Sequence, residues 1–146
     1  METLMDKVAG ERSLLELGKQ VLMAQPFSQL LQAELSEFKP GTAELRLVIG
    51  DEMKQQHGFV HGGVISYLAD NALTFAGGSL FGDALTMEFK INYVAPAKGE
   101  LLIARADALN KGGKTVICRC DIWVIEAGEE KLCAIAQGTI LGKPKS

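Results

Sequence analysis

The sequence predicts an α+β domain, a curled antiparallel sheet of about six strands wrapped around one central helix, with an extra helix at the N-terminus. Three observations predict it. Residues 62–76 are apolar at helical spacing nearly all round, so that helix belongs inside. Strand-like runs joined by short turns fill most of the remaining chain, which is the pattern of antiparallel pairing. A sheet covering so much apolar helix surface has to curl around it.

The elements follow in order. Residues 11–25 read as a helix, with Leu14, Leu15, Leu17, Val21 and Leu22 as its apolar stripe. Glu11, Arg12, Glu16, Lys19 and Gln20 lie opposite, and Pro26 is expected to end it. Strands 32–38 and 42–49 meet at the turn Lys39-Pro40-Gly41. In the second of these, Ala43, Leu45, Leu47 and Ile49 alternate with Glu44, Arg46 and Val48. Residues 50–60 form a loop of about ten residues, a length that is usually functional or disordered.

Helix 62–76 comes next, ended by Gly77-Gly78. Ile65, Leu68, Ala69, Ala72, Leu73 and Ala76 give it a wide apolar face. Ser66, Asp70 and Thr74, four apart, run along one side as a polar stripe. Gly63, Ala69, Ala72, Ala76 and Gly77 are small enough to let a sheet approach. Residues 85–93 then alternate strictly, with five large apolar residues on one face. Strands 100–109, 114–126 and 131–141 complete the set. They are punctuated by Pro96 and Gly99, by Asn110-Lys111-Gly112-Gly113 and by Ala127-Gly128-Glu129-Glu130. Lys143-Pro144-Lys145-Ser146 reads as a frayed end.

Composition bounds the function. With 146 residues, 47% hydrophobic and 23% charged, the chain can bury a core and is too apolar to be disordered. A net charge of −3 gives no bulk attraction for nucleic acid. No run approaches the roughly 20 apolar residues of a membrane-spanning helix. The start, Met1-Glu2-Thr3-Leu4-Met5-Asp6-Lys7, lacks the form of a signal peptide. The expectation is one domain over 1–146, cytoplasmic, with no nucleic-acid or membrane partner. Cys118, Cys120 and Cys133 fit a reducing compartment: the count is odd, and the first two share a strand face. They read as buried thiols.

The chemistry gathers around Gln55-Gln56-His57-Gly58-Phe59-Val60-His61-Gly62-Gly63 and the helix it opens. Asp70 stands near the middle of that apolar helix, where an unpaired carboxylate is costly, which makes it the first catalytic suspect. His57, His61 and Asp70 invite a zinc reading. The helical two-histidine motif needs both on one helix with a Glu between, and here glycines put them in a loop, so no metal is expected. No GxSxG nucleophile elbow occurs either.

Gln55, then His61-Gly62-Gly63, then Asp70 nine residues after the histidine, resembles the motif of the hotdog-fold acyl-CoA thioesterases, specifically the phenylacetate-degradation type. That family carries Asn or Gln, then His-Gly-Gly, then Asp or Glu, at these offsets. Thr86-Met87-Glu88-Phe89-Lys90-Ile91-Asn92-Tyr93-Val94-Ala95-Pro96 resembles the strand after the family's helix. Gly113-Lys114-Thr115 is similar to a turn used near coenzyme A. The resemblance covers about residues 28–142. It implies the hotdog fold, dimers with one continuous sheet, often assembled as tetramers, and hydrolysis of an acyl-CoA thioester. No cofactor is implied, coenzyme A being part of the substrate.

Such an enzyme must stabilise an oxyanion, and free N–H groups at a helix start do so. The Gly62 N–H is the expected donor, with Gly63 second. Asp70 would attack the thioester or activate water. Gln55 could donate to the carbonyl or hold water, His61 could orient the carbonyl or cap the loop, and His57 is a weaker substrate contact. Thr86 matches a family position that holds water near the carboxylate. Lys111 and Lys114 are candidate contacts for coenzyme A phosphates. Gly62 and Asp70 are eight residues apart on one helix, about 12 Å, too far for one carbonyl to reach both. The site would therefore be shared between subunits.

The rival readings share the fold. They are an acyl-CoA binding or sensing module, which should lack Asp70, a hydroxyacyl-thioester dehydratase, whose motif differs, and a hotdog protein with a dead site. The acyl group is not legible. Its pocket would depend on Leu68, Phe75, Phe81 and the partner subunit.

Overall fold

Period-two patterning and tight turns build one six-stranded antiparallel sheet. A computed structural model describes residues 3–143, without the side chains of 6–9 and 11–13. Two helices open the chain, α1 (Leu4–Met23) and α2 (Pro26–Leu31). Strands β1 (Glu34–Lys39) and β2 (Thr42–Val48) follow, then the central helix α3 (Gly62–Gly78). Strands β3 (Ala84–Tyr93), β4 (Leu101–Lys111), β5 (Thr115–Glu126) and β6 (Glu129–Gly142) complete it. The sheet order is β1-β2-β4-β5-β6-β3, so β3 crosses to the far edge. This is the hotdog architecture, with α3 lying across β2 to β6.

The helix is held by its small residues. Ala69, Ala72 and Ala76 are fully buried, and Leu68 and Leu73 pack with Leu45, Leu47, Leu102, Ile122 and Ile140. A Cβ on Gly77 would meet Val116 at 2.8 Å and Ile140 at 2.9 Å, so that residue sets how closely α3 approaches β5 and β6. Cys118, Cys120 and Cys133 are free and buried, as expected. Burial pushes Cys118 and Cys133 up to about 11, and Cys120 higher, which leaves all three as inert thiols.

Several boundaries differ from the sequence reading. The first helix begins at Leu4 rather than residue 11. Pro26 does not merely stop it: the chain bends and Pro26 starts α2 at its first turn, where no N–H is needed. Gln32 is the left-handed cap of α2, so β1 starts at Glu34. Gly77 and Gly78 lie inside α3, because close packing offsets their low helix propensity. Gly63 is not a sheet contact: its missing Cβ makes room for the His61 ring. The 50–60 loop is ordered, with a 3-10 turn at Asp51–Met53 and a bridge between Lys54 and Val60. Most of the expected frayed end lies outside the described residues.

Strand β3 departs most from expectation. Its alternation is broken by an irregularity between Thr86 and Glu88. Its five large apolar residues do not share one buried face: Phe89 and Ile91 pack against the core, but Leu85 is 55% exposed, Met87 59% and Tyr93 51%. An edge strand with large exposed apolar residues presents unpaired backbone groups and a sticky surface together.

Candidate active site

The His61-Gly62-Gly63 corner fixes how α3 begins. His61 is the N-cap, with extended backbone at φ −59° and ψ 133°. Its Nδ1 accepts the Gly63 N–H at 2.8 Å. The Val64 and Ile65 N–H groups reach back to the His61 carbonyl at 3.0 and 3.4 Å. Among the described residues, the Gly62 N–H is left with no hydrogen-bond partner. Of the two amides expected as candidate donors, the cap therefore occupies that of Gly63 and leaves that of Gly62 open.

A groove of about 360 Å³ opens beside this amide, lined by Gln55, Phe59, Val60, Ile65, Tyr93 and Pro96 among others. The Tyr93 hydroxyl donates to the Gly62 carbonyl at 3.0 Å and lies 2.5 Å from Ser66 Oγ. A Cβ on Gly62 would sit 3.2 Å from the Tyr93 ring, so glycine is what lets the ring close on the helix tip. Sequence reasoning missed this role of Tyr93. Its only signal was a place in the strand that resembles the family's. Gln55 belongs to a local turn: its N–H donates to the Phe59 carbonyl at 2.9 Å, and its Oε1 accepts the His57 N–H. The His57 residue is exposed and is not among the groove's lining.

Asp70 lies two turns further along α3, half-buried in a separate recess of about 290 Å³ with Tyr67, Asn71 and Leu85. Its Oδ1 accepts the Thr86 hydroxyl at 2.6 Å, and Thr74 Oγ1 stands 3.5 Å away. The Thr74 hydroxyl also reaches the Asp70 carbonyl at 2.8 Å and the Thr86 hydroxyl at 2.6 Å. Helical spacing puts Thr74 above Asp70. The β3 irregularity follows Thr86, and such bulges re-aim side chains. Thr74 of the polar stripe and Thr86 of β3 thus clamp one carboxylate oxygen, while Ser66 of the stripe meets Tyr93.

One protomer does not bring the two halves together. Gly62 and Asp70 line different recesses, consistent with about 12 Å of helix between them. Lys111 and Lys114 sit at the opposite end of α3 from Gly62. There the Lys111 Nζ lies 4.7 Å over the Phe81 ring, and the Lys114 carbonyl accepts the Gly142 N–H. Leu68 is buried in the core and lines none of the recesses described here, Phe81 packs on Gly142, and only Phe75 of the expected pocket residues lines a cavity.

A carboxylate on a buried helix and an open amide at a helix start, without a serine elbow, suit cleavage of a thioester by water. The class this defines is a hydrolase of thioesters. The profile of the thioesterase superfamily matches residues 57–131, and the chain belongs to that family. A protein of Archaeoglobus fulgidus is 35% identical over 113 residues, 77% of this chain and 71% of that one. A 1,4-dihydroxy-2-naphthoyl-CoA hydrolase of Listeria monocytogenes is 30% identical over 77% of this chain and 91% of its own. Among solved structures, a thioesterase family protein from Silicibacter pomeroyi superposes with TM-score 0.82 at 31% identity, covering 85% of this chain and 93% of that one. A variant of the phenylacetic acid degradation protein PaaI of Thermus thermophilus superposes with TM-score 0.72 at 27% identity, covering 82% of this chain and all of that one.

Proposed function

We propose that the protein hydrolyses acyl-CoA thioesters, in the manner of the phenylacetate-degradation type, at a site completed by a second copy. The observation that carries this reading is that the open Gly62 amide and the clamped Asp70 carboxylate lie in separate recesses that both border β3. Pairing β3 antiparallel with its own copy sets the Ala84 end of one strand against the Tyr93 end of the other. The Asp70 recess of one protomer then meets the Gly62 groove of its partner. The exposed Leu85 and Met87 would be covered, and two six-stranded sheets would join.

In that site the substrate carbonyl accepts the Gly62 N–H at the positive end of α3. Asp70 Oδ1 is held by Thr86, which leaves Oδ2 to act. It removes a proton from water as the water oxygen bonds to the carbonyl carbon, or it attacks that carbon and water later opens the resulting anhydride. Either way the C–S bond breaks, and the coenzyme A thiolate leaves and takes up a proton. Single turnover in ¹⁸O-water that leaves label in Asp70 identifies the second route with water opening the anhydride at the Asp70 carbon. Gln55 lines the Gly62 groove, His61 caps the helix beside it, and His57, exposed and outside that lining, is assigned only as a weaker substrate contact. Lys111 and Lys114, at the Asp70 end, are assigned to the phosphates, so KM should rise with ionic strength.

Mixing two dead variants tests the shared site. Asp70→Asn removes the acid. Gly62→Pro removes the N–H at a first-turn position, where the extended His61 backbone suits a following proline and the Tyr93 ring has to move by a few tenths of an ångström to admit it, so melting curves check the fold. Each variant alone should be nearly inactive. After random re-pairing, half the dimers hold one intact site of two, so about a quarter of wild-type activity should return. No recovery from properly re-paired dimers, or a fully active monomer, would sink the proposal.

A further inference from the structure

The helix α1 does not sit on solid core. Beneath it is a cavity of about 270 Å³, walled by Leu17 and Val21 of α1, Phe38 of β1 and Phe75 of α3. Leu17 and Val21 belong to the apolar stripe of α1, yet they remain 56% and 49% exposed. The stripe is only partly covered because it faces this hollow. Gly18 seats the helix at the cavity's edge: a Cβ there would come within 2.6 Å of Leu35 and Phe38.

The cavity adjoins the Asp70 recess. Gln25, Asn71, Thr74 and Ala84 line both. Thr74 therefore touches the carboxylate on one side and the hollow on the other. A half-buried polar cluster stands where the two adjoin. The Asn71 amide donates to Gln25 at 3.0 Å, Ser28 at 3.2 Å and the Tyr67 hydroxyl at 3.2 Å, and Tyr67 donates to Ser28 at 2.6 Å. These bonds tie the α1–α2 corner to α3, so the roof is anchored beside the catalytic acid.

We infer that the space under α1 receives the acyl part of the substrate, and that Leu17, Val21 and Phe75 set its length. This rests on the hydrolase reading above. The substrate class follows from size and polarity. At about 270 Å³ the cavity lies just below the roughly 300–1,000 Å³ of drug-sized ligand pockets, which suits a small acyl group. A straight acyl chain of about eight carbons or a single-ring aryl-acyl group fits. The lining mixes apolar side chains with the uncharged Gln25, Asn71, Thr74 and Ser79, and its charged residue is Asp83, with Asp70 in the adjoining recess, so an acyl group ending in a second carboxylate is rejected.

The test is kcat/KM for acetyl-, octanoyl-, phenylacetyl- and succinyl-CoA on wild type, Val21→Trp and Leu17→Trp, with direct binding of the same esters measured alongside. Both substituted positions are half exposed, and melting curves check that each variant is folded. Wild type should prefer octanoyl- and phenylacetyl-CoA over acetyl- and succinyl-CoA by about tenfold or more, and each tryptophan should cut the octanoyl-to-acetyl ratio by about tenfold or more. An unchanged ratio in folded variants, or a wild-type preference for acetyl or succinyl esters, would overturn the inference while leaving the hydrolase reading standing. Failure of that reading shows differently, as full activity in Asp70→Asn or no turnover of any ester. The binding arm then decides: octanoyl-CoA must still bind more tightly than acetyl-CoA in wild type and lose that advantage with tryptophan at position 21.

Discussion

Among the described residues, Asp70 is held by the hydroxyls of Thr74 and Thr86 rather than by a cation. Replacing the acid outright, Asp70→Asn, should lower kcat by about a hundredfold or more in a thiol-release assay, the scale of a lost general base. Removing the clamp should cost less. Thr86→Val is expected to lower kcat by about tenfold, the scale of one hydrogen bond to a charged group, and Thr86→Ser should restore most of it. Gln55, His61, Gly62 and Asp70 could be read as candidates because a motif at fixed offsets carries them, and Thr86 because its strand resembles the family's. Tyr93 was not, because its bond to Gly62 exists only where the curled sheet brings the end of β3 over the start of α3. A second residue-scale feature lies on β2. Burial alone would raise the Glu44 carboxyl, but hydrogen bonds from Arg105, Ser36 and Arg46 hold it below its ordinary value. A depressed folded-state value stabilises fully above the unfolded value and is lost as pH falls through the folded one. Urea unfolding between neutral and acid pH should thus show a smaller acid-side loss in Glu44→Gln than in wild type.

At the scale of elements, α3 is defined by what it lets near. Gly77→Ala would put a methyl within 3 Å of Val116 and Ile140, both core side chains. It should destabilise by about 1–3 kcal/mol as overpacking, although alanine is the better helix former. Gly10, in α1, has nothing within 4 Å of a built Cβ, so there the same change should stabilise, by about 0.5–1 kcal/mol. Denaturant titration of the two variants reads both signs. Helix α3 and the strands were legible from period and turn residues. Element ends were not: Pro26 opens α2 and Gly77-Gly78 extend α3, because proline serves equally as a stop or a first-turn residue and packing outweighs propensity.

For the whole molecule, β3 carries the argument. A sheet edge of ten residues with Leu85 and Met87 exposed asks for a partner strand, and the split recesses ask for the same copy. Sedimentation should show a dimer or a multiple of it at assay concentrations. A charge on that edge, Met87→Lys, should weaken association and activity together, since on this reading the site needs both copies. A lysine variant that is fully monomeric and fully active would contradict it.

By itself the sequence determined the fold class, the thiols' burial and the spacing of Gly62 and Asp70, because helical and strand periods are local and the rise of a helix is fixed. Only the tertiary structure decided which amide is free, which hydroxyls hold the acid and where the apolar stripe of α1 lies hollow. Those depend on side chains far apart in the chain meeting across a curled sheet, and no local pattern encodes the curl.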